Sequence, residues 1–83
     1  MGKHEDVLAS VFEEPTRGNI AWRDIESLLR HVGATVTEGR GSRVRVYLHG
    51  VRAVFHRPHP HKEADRGTVE SVRRFLTNAG IMP

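Results

Sequence analysis

The 83-residue chain has no cysteine, which excludes disulfides, thiolate nucleophiles and cysteine-ligated metals. It has no apolar run approaching the roughly 18 residues a membrane-spanning helix needs. Its first residues, Met1-Gly-Lys-His-Glu-Asp, are acidic where a secretory signal would be basic and then apolar. The expected location is therefore the cytoplasm, with no membrane partner. Lysine is nearly absent as well: eleven of the thirteen basic residues are arginine. Arginine is the cation suited to bidentate phosphate contacts.

A chain this short makes one domain and buries only about 60–65% of its unfolded surface. Charge is unevenly distributed. Residues 1–38 hold four basic and seven acidic side chains, whereas residues 39–83 hold nine basic and three acidic. A C-terminal half of net +6 is expected to meet an anionic partner.

Val51-Arg-Ala-Val-Phe-His56-Arg57-Pro-His59-Pro-His61-Lys62 is the most informative stretch. It starts as a strand, then stops where Pro58 and Pro60 cannot donate to a ladder. Three histidines, Arg57 and Lys62 crowd this exit. Histidine exchanges protons near neutral pH, and loops on rigid scaffolds are where chemistry concentrates. The same histidines, with Glu63 or Asp65, raise a zinc reading. The prolines would set His59 and His61 to one side while His56 stays in the sheet, so no metal or cofactor is expected.

The preceding run, Ser42 to Leu48, alternates: Val44, Val46 and Leu48 one way, Arg43, Arg45 and Tyr47 the other. His49-Gly50 reads as a two-residue hairpin turn. That turn fixes a register in which Leu48 opposes Val51, Tyr47 opposes Arg52 and Arg43 opposes His56. One face is then apolar. The other carries Arg43, Arg45, Tyr47, Arg52 and His56.

Helices are expected around this hairpin. Residues 4–13 carry an apolar stripe ended by Pro15, and residues 15–18 form a linker. A second helix runs from an Asn19 cap to Gly33, with Trp22, Ile25, Leu28, Leu29 and Val32 on one face. Trp22 reads as a core anchor rather than a stacking residue. Residues 34–38 are β-like, and Gly39-Arg40-Gly41 reads as a tight hairpin turn, with close approach to a phosphate as the alternative. Thr68 reads as the cap of a last helix that Asn78-Ala-Gly80 ends, with Val69, Val72, Leu76 and Ala79 buried, Phe75 at the edge, and Arg73 and Arg74 toward solvent. The class is α+β, a three-stranded antiparallel sheet in α-β-β-β-α order like double-stranded RNA-binding domains, plus an extra N-terminal helix. Residues 1–18 form the helix and linker, and residues 19–83 the domain.

Residues 19–81 resemble HicA toxins, the RNA-cleaving members of HicA/HicB toxin–antitoxin pairs. The resemblance is carried by His59-Pro-His-Lys62, by Arg66-Gly-Thr68-Val-Glu-Ser-Val72, by Leu76 and Ala79-Gly-Ile81, and by the helix from Trp22 to Gly33 with the Gly41-Ser42 turn. It implies metal-independent mRNA cleavage and inhibition by a HicB-like antitoxin that covers the active face. The family usually places a catalytic histidine directly after the Gly-Ser turn; here that slot holds Arg43, which cannot act as a general base. His56, opposite Arg43, and His59 are the substitute candidates for base and acid. Arg40, Arg43, Arg45, Tyr47, Arg52, Arg57 and Lys62 are candidates for RNA contact. A non-catalytic RNA-binding module and a protein–protein adaptor are the alternatives.

Overall fold

The computed structural model describes residues 2–83. Three helices and five strands follow in the order α1 (Lys3–Val11), β1 (Ile20–Ala21), α2 (Trp22–His31), β2 (Thr35–Glu38), β3 (Arg43–Leu48), β4 (Val51–His56), β5 (Glu63–Ala64) and α3 (Arg66–Asn78). Strands β2, β3 and β4 form the antiparallel sheet in that spatial order. From α2 onward the α-β-β-β-α order stands, with the two-residue pair β1 and β5 added beside it.

The hairpin register is the one the sequence dictates: Arg43 opposes His56, Arg45 opposes Val54, Tyr47 opposes Arg52 and Leu48 opposes Val51. Its cause is the turn. His49 and Gly50 sit at φ 49° and 82°, the doubly left-handed geometry whose twist matches that of the flanking strands. The Nδ1 atom of His49 lies 2.8 Å from the Ala79 carbonyl oxygen and donates to it, fastening the turn to the end of α3.

Alternation then sorts the side chains. Val44, Val46, Leu48 and Phe55 are buried, and α2 contributes Trp22, Ile25, Leu28 and Leu29 to the same core. Each such side chain removed from water stabilises by about 1.5–3 kcal/mol before entropy is subtracted. Phe55 is the centre of an aromatic row, 5.9 Å from the Trp22 ring and edge-on to Phe75 at 6.0 Å. Phe75 is buried, not at the stripe's edge. Both long helices close at glycine: Gly33 and Gly80 take φ of 102° and 84°. After α3 the Ile81 N–H reaches back to the Leu76 carbonyl at 2.8 Å, and Ile81 packs on the core.

Three local expectations give way. Asn19 does not cap α2; it adopts φ 50° and leads into β1. The helix starts at Trp22, whose N–H is taken by the Lys62 carbonyl at 2.9 Å, so pairing with the exit loop replaces a side-chain cap. Thr68 does not cap α3. The chain is already extended at Asp65, whose carboxylate accepts from the Thr68 N–H at 2.8 Å, so the cap falls three residues earlier. That bond holds the Asp65 carboxyl below its ordinary range. Arg73 does not lie free in solvent. It donates to the carbonyls of Val11 and Glu13, to Thr16 Oγ1 and to the Glu14 carboxylate, all within 3.1 Å. Helix α1 packs on α2 and α3 through buried Val7 and Val11. No helix among the described residues is long and apolar enough to cross a membrane.

Candidate functional site

The sheet has helices on one side only. Its other face presents Arg43, Arg45 and Tyr47 from β3, Arg52, Val54 and His56 from β4, and Thr35 and Thr37 from β2; all eight are exposed. Among the described residues none of the three arginines on this face pairs with a carboxylate. A face of one sign without internal neutralisation has a strong outward potential and attracts polyanions.

Hydrogen bonding fixes how close the pairs approach. The Arg57 N–H bonds the Ser42 carbonyl at 2.8 Å. Residues 42 and 57 are therefore a hydrogen-bonded pair, and by alternation 43/56, 45/54 and 47/52 are not. Non-hydrogen-bonded partners have Cα atoms about 4.5 Å apart, the closer of the two spacings. The His56 imidazole and the Arg43 guanidinium thus emerge side by side. His56 also borders a cleft of about 320 Å³ with Asp65, Gly67, Thr68 and Ser71 at the start of α3. Across the far end of the hairpin, the Arg52 guanidinium sits 5.7 Å from the centroid of the Tyr47 ring.

The remaining candidates lie elsewhere. Arg40 is exposed in the β2–β3 turn. His59 is exposed where the exit loop bends over residues 59–61. Lys62 borders a second cleft, about 460 Å³, formed with Trp22, Arg23 and Pro58 between α2 and that loop. Arg57 is one residue past His56 and so projects to the opposite side. There it donates to Glu38 at 2.6 and 2.7 Å and to both oxygens of Glu26 at 3.2 Å. Among the described residues, no group of three or more histidines and carboxylates is placed to hold a metal.

Sequence pattern did not reveal this Arg57 clamp, because its partners are 19 and 31 residues away in the chain. The only local hint is Glu26, which takes Trp22 Nε1 and Arg30 from one turn to either side. Burial pushes the Glu26 carboxyl up, but the bonds from Arg30 and Trp22 and the Arg57 charge outweigh it and leave it below the usual range. Glu38 is held low chiefly by its bond from Arg57, and Arg57 is raised by Glu38 first and Glu26 after it. The clamp stitches the end of β4 to α2 and β2, and so anchors the root of the loop bearing His59.

Replacing Arg57 with alanine is expected to cost about 1–2 kcal/mol at pH 7 in urea denaturation, nearly all from the half-buried Glu26 arm. The pH dependence has a defined sign. Both carboxyls are depressed in the folded chain, so their stabilisation is present above the ordinary value of 4.5 and is lost as pH falls through the folded values. The Arg57→Ala chain should therefore lose stability less steeply with acid below about pH 5. An unchanged acid slope would show that the clamp contributes nothing.

An open face of unpaired arginines on an α-β-β-β-α scaffold defines a small α+β domain with the order of double-stranded RNA-binding domains. The family model described as HicA toxin of bacterial toxin-antitoxin matches residues 22–81. The chain belongs to the HicA toxin family, and a toxin–antitoxin partner goes with that membership. No curated protein and no solved structure matches it significantly. The matched region begins at the first residue of α2, so α1 and β1 lie outside it.

Proposed function

We propose that this chain is a cytoplasmic, metal-independent mRNA endoribonuclease, held inactive by a HicB-like antitoxin that covers the open sheet face. The observation that carries the reading is the opposition of Arg43 and His56 on an exposed, uncovered face. His56 takes the proton of a ribose 2′-hydroxyl. The freed oxygen attacks the adjacent phosphorus and the bond to the 5′-oxygen breaks. His59, from the exit loop, returns a proton to that leaving oxygen. The products are a 2′,3′-cyclic phosphate and a 5′-hydroxyl, so atoms and charge balance. Arg43 and Arg45 stabilise the charge building on the phosphoryl oxygens. Arg40 and Arg52 extend the phosphate track, and Lys62 continues it past the loop. Arg57 serves it indirectly, since its fork is already engaged by Glu26 and Glu38.

A second reading rests on one specific residue. Arg43 fills the slot where the family resemblance expects a catalytic histidine, and a guanidinium gives up no proton at neutral pH. In that case the face retains RNA without cutting it. Purified chain incubated with an mRNA in EDTA decides between them. Fragments ending in 2′,3′-cyclic phosphate are the expected result. Salt-sensitive retention of intact RNA selects the binding module. No retention even at low salt, with a HicB-like protein still bound, leaves only the adaptor role.

A further inference from the structure

Apart from the C-terminal Met82, the large hydrophobic side chains exposed among the described residues are Tyr47 at 47% and Val54 at 55%. Both stand on the cationic face, diagonal to one another across β3 and β4, where side chains of this size come within reach. Their neighbours complete a shallow depression of about 650 Å³: Thr35 and Thr37 along β2, Arg45 beside Val54, and Arg52 against the Tyr47 ring. An aromatic ring and a β-branched side chain thus share the middle of a charged surface. An aromatic platform rimmed by arginines and hydroxyls is what an unstacked nucleobase requires: a π-face to lie on, cations for its phosphate, and short donors and acceptors for its edge.

We infer that Tyr47, Val54, Thr35 and Arg52 form a base-binding subsite for a nucleotide flanking the bond to be cut, and that the strand is engaged unpaired. This rests on the RNA reading above and adds to it a specificity site. The pair Tyr47/Arg52 is four residues along the hairpin from Arg43/His56, about 13 Å at the rise of an antiparallel strand. The base on Tyr47 therefore belongs to a neighbouring nucleotide, not to the ribose that His56 deprotonates. A duplex cannot use the platform, because its bases are stacked and paired inside it.

The test is an abasic scan. A short 2′-O-methyl oligoribonucleotide, which lacks the attacking hydroxyl, is bound by the whole chain. One abasic residue is then walked along it. Wild type should lose about tenfold in affinity when the abasic residue falls at one flanking position, the size of one lost stacking contact. Tyr47→Ala should bind the intact oligonucleotide about tenfold more weakly and be insensitive to that abasic position, whereas Tyr47→Phe should behave as wild type. Binding that stays flat across the scan, or sensitivity that persists in Tyr47→Ala, overturns the subsite while leaving the RNA reading intact. A pre-annealed duplex bound as tightly as the single strand overturns it too. No binding of any oligonucleotide at low salt overturns the RNA reading itself, and the subsite with it. Because Tyr47 is half exposed and outside the core, its variants are expected to fold.

Discussion

Replacing His56 with alanine should reduce mRNA cleavage by about 10²–10⁴-fold while leaving RNA affinity within about a factor of two of wild type. The split follows from where the side chain stands. His56 is one of several groups on the face, so removing it leaves three arginines to hold phosphate. It is, however, the imidazole beside Arg43, and proton removal is the step no guanidinium can supply. Its exposure makes a folding defect an unsuitable explanation for lost activity; an unchanged unfolding midpoint would close that route. His59→Ala should slow cleavage as well, through loss of the acid. A sharper arm exploits the register. Residues 43 and 56 face each other at the closer cross-strand spacing. An imidazole installed at 43 therefore falls within reach of the same phosphodiester. The double change Arg43→His with His56→Ala should recover part of the activity that His56→Ala loses, and it would restore the residue the family resemblance expects. Cleavage that survives both His56→Ala and His59→Ala removes this site from the chemistry. Failure of the double change alone limits only the interchangeability of the two positions.

How much of this was legible in the sequence depends on the range of the interaction. The hairpin was, because a two-residue turn with His and Gly in left-handed geometry leaves one register, and the alternation of valine with arginine leaves one choice of face. The stripe of α2 was, because Trp22, Ile25, Leu28 and Leu29 repeat at helical spacing and all four are buried. What failed was choice between equally good local signals. Asn19 and Thr68 are both sound caps on propensity. Each lost to an arrangement set from elsewhere: the Lys62 carbonyl meeting the Trp22 N–H, and the extended chain at Asp65. The two-residue strands β1 and β5 carry too few residues to show a period. Arg57 and Arg73 are the clearest case. In sequence each is one more arginine in a basic region. In the fold each is consumed by partners that only tertiary structure brings near, which removes Arg73 from the solvent face and commits the Arg57 fork. Charge counting therefore located the basic half of the chain but could not say which cations remain free. The three arginines of the open face are among those that do, and alternation along β3 and β4 singles them out.

Removing residues 1–17 should destabilise the chain by at least about 3 kcal/mol, a large part of the roughly 4–12 kcal/mol expected for a domain of this length. The figure comes from Val7 and Val11 alone. Both are buried, Val11 completely, and each withdraws from water at about 1.5 kcal/mol or more. Deletion also strips Arg73 of the Val11 and Glu13 carbonyls, the Glu14 carboxylate and Thr16, removing four hydrogen bonds that tie α3 to the N-terminal segment. The exposed contacts add little. Lys3 with Asp24 is a surface pair, and the His4 ring stacked at 4.1 Å on His31 is at the rim. The matched family region starts at residue 22, so a chain cut there retains every matched position and still loses a wall of its core. Two point changes separate the contributions. Val11→Ala tests the packing, and Arg73→Met keeps the stem while removing the donors. If the shortened chain unfolds at the same urea concentration as the full one, α1 is an appendage and its two buried valines are not structural. If it unfolds earlier but the surviving folded fraction binds and cuts RNA normally, α1 acts only on stability. That second outcome is the expected one, because α1 packs on α2 and α3 while the Arg43/His56 face belongs to the hairpin.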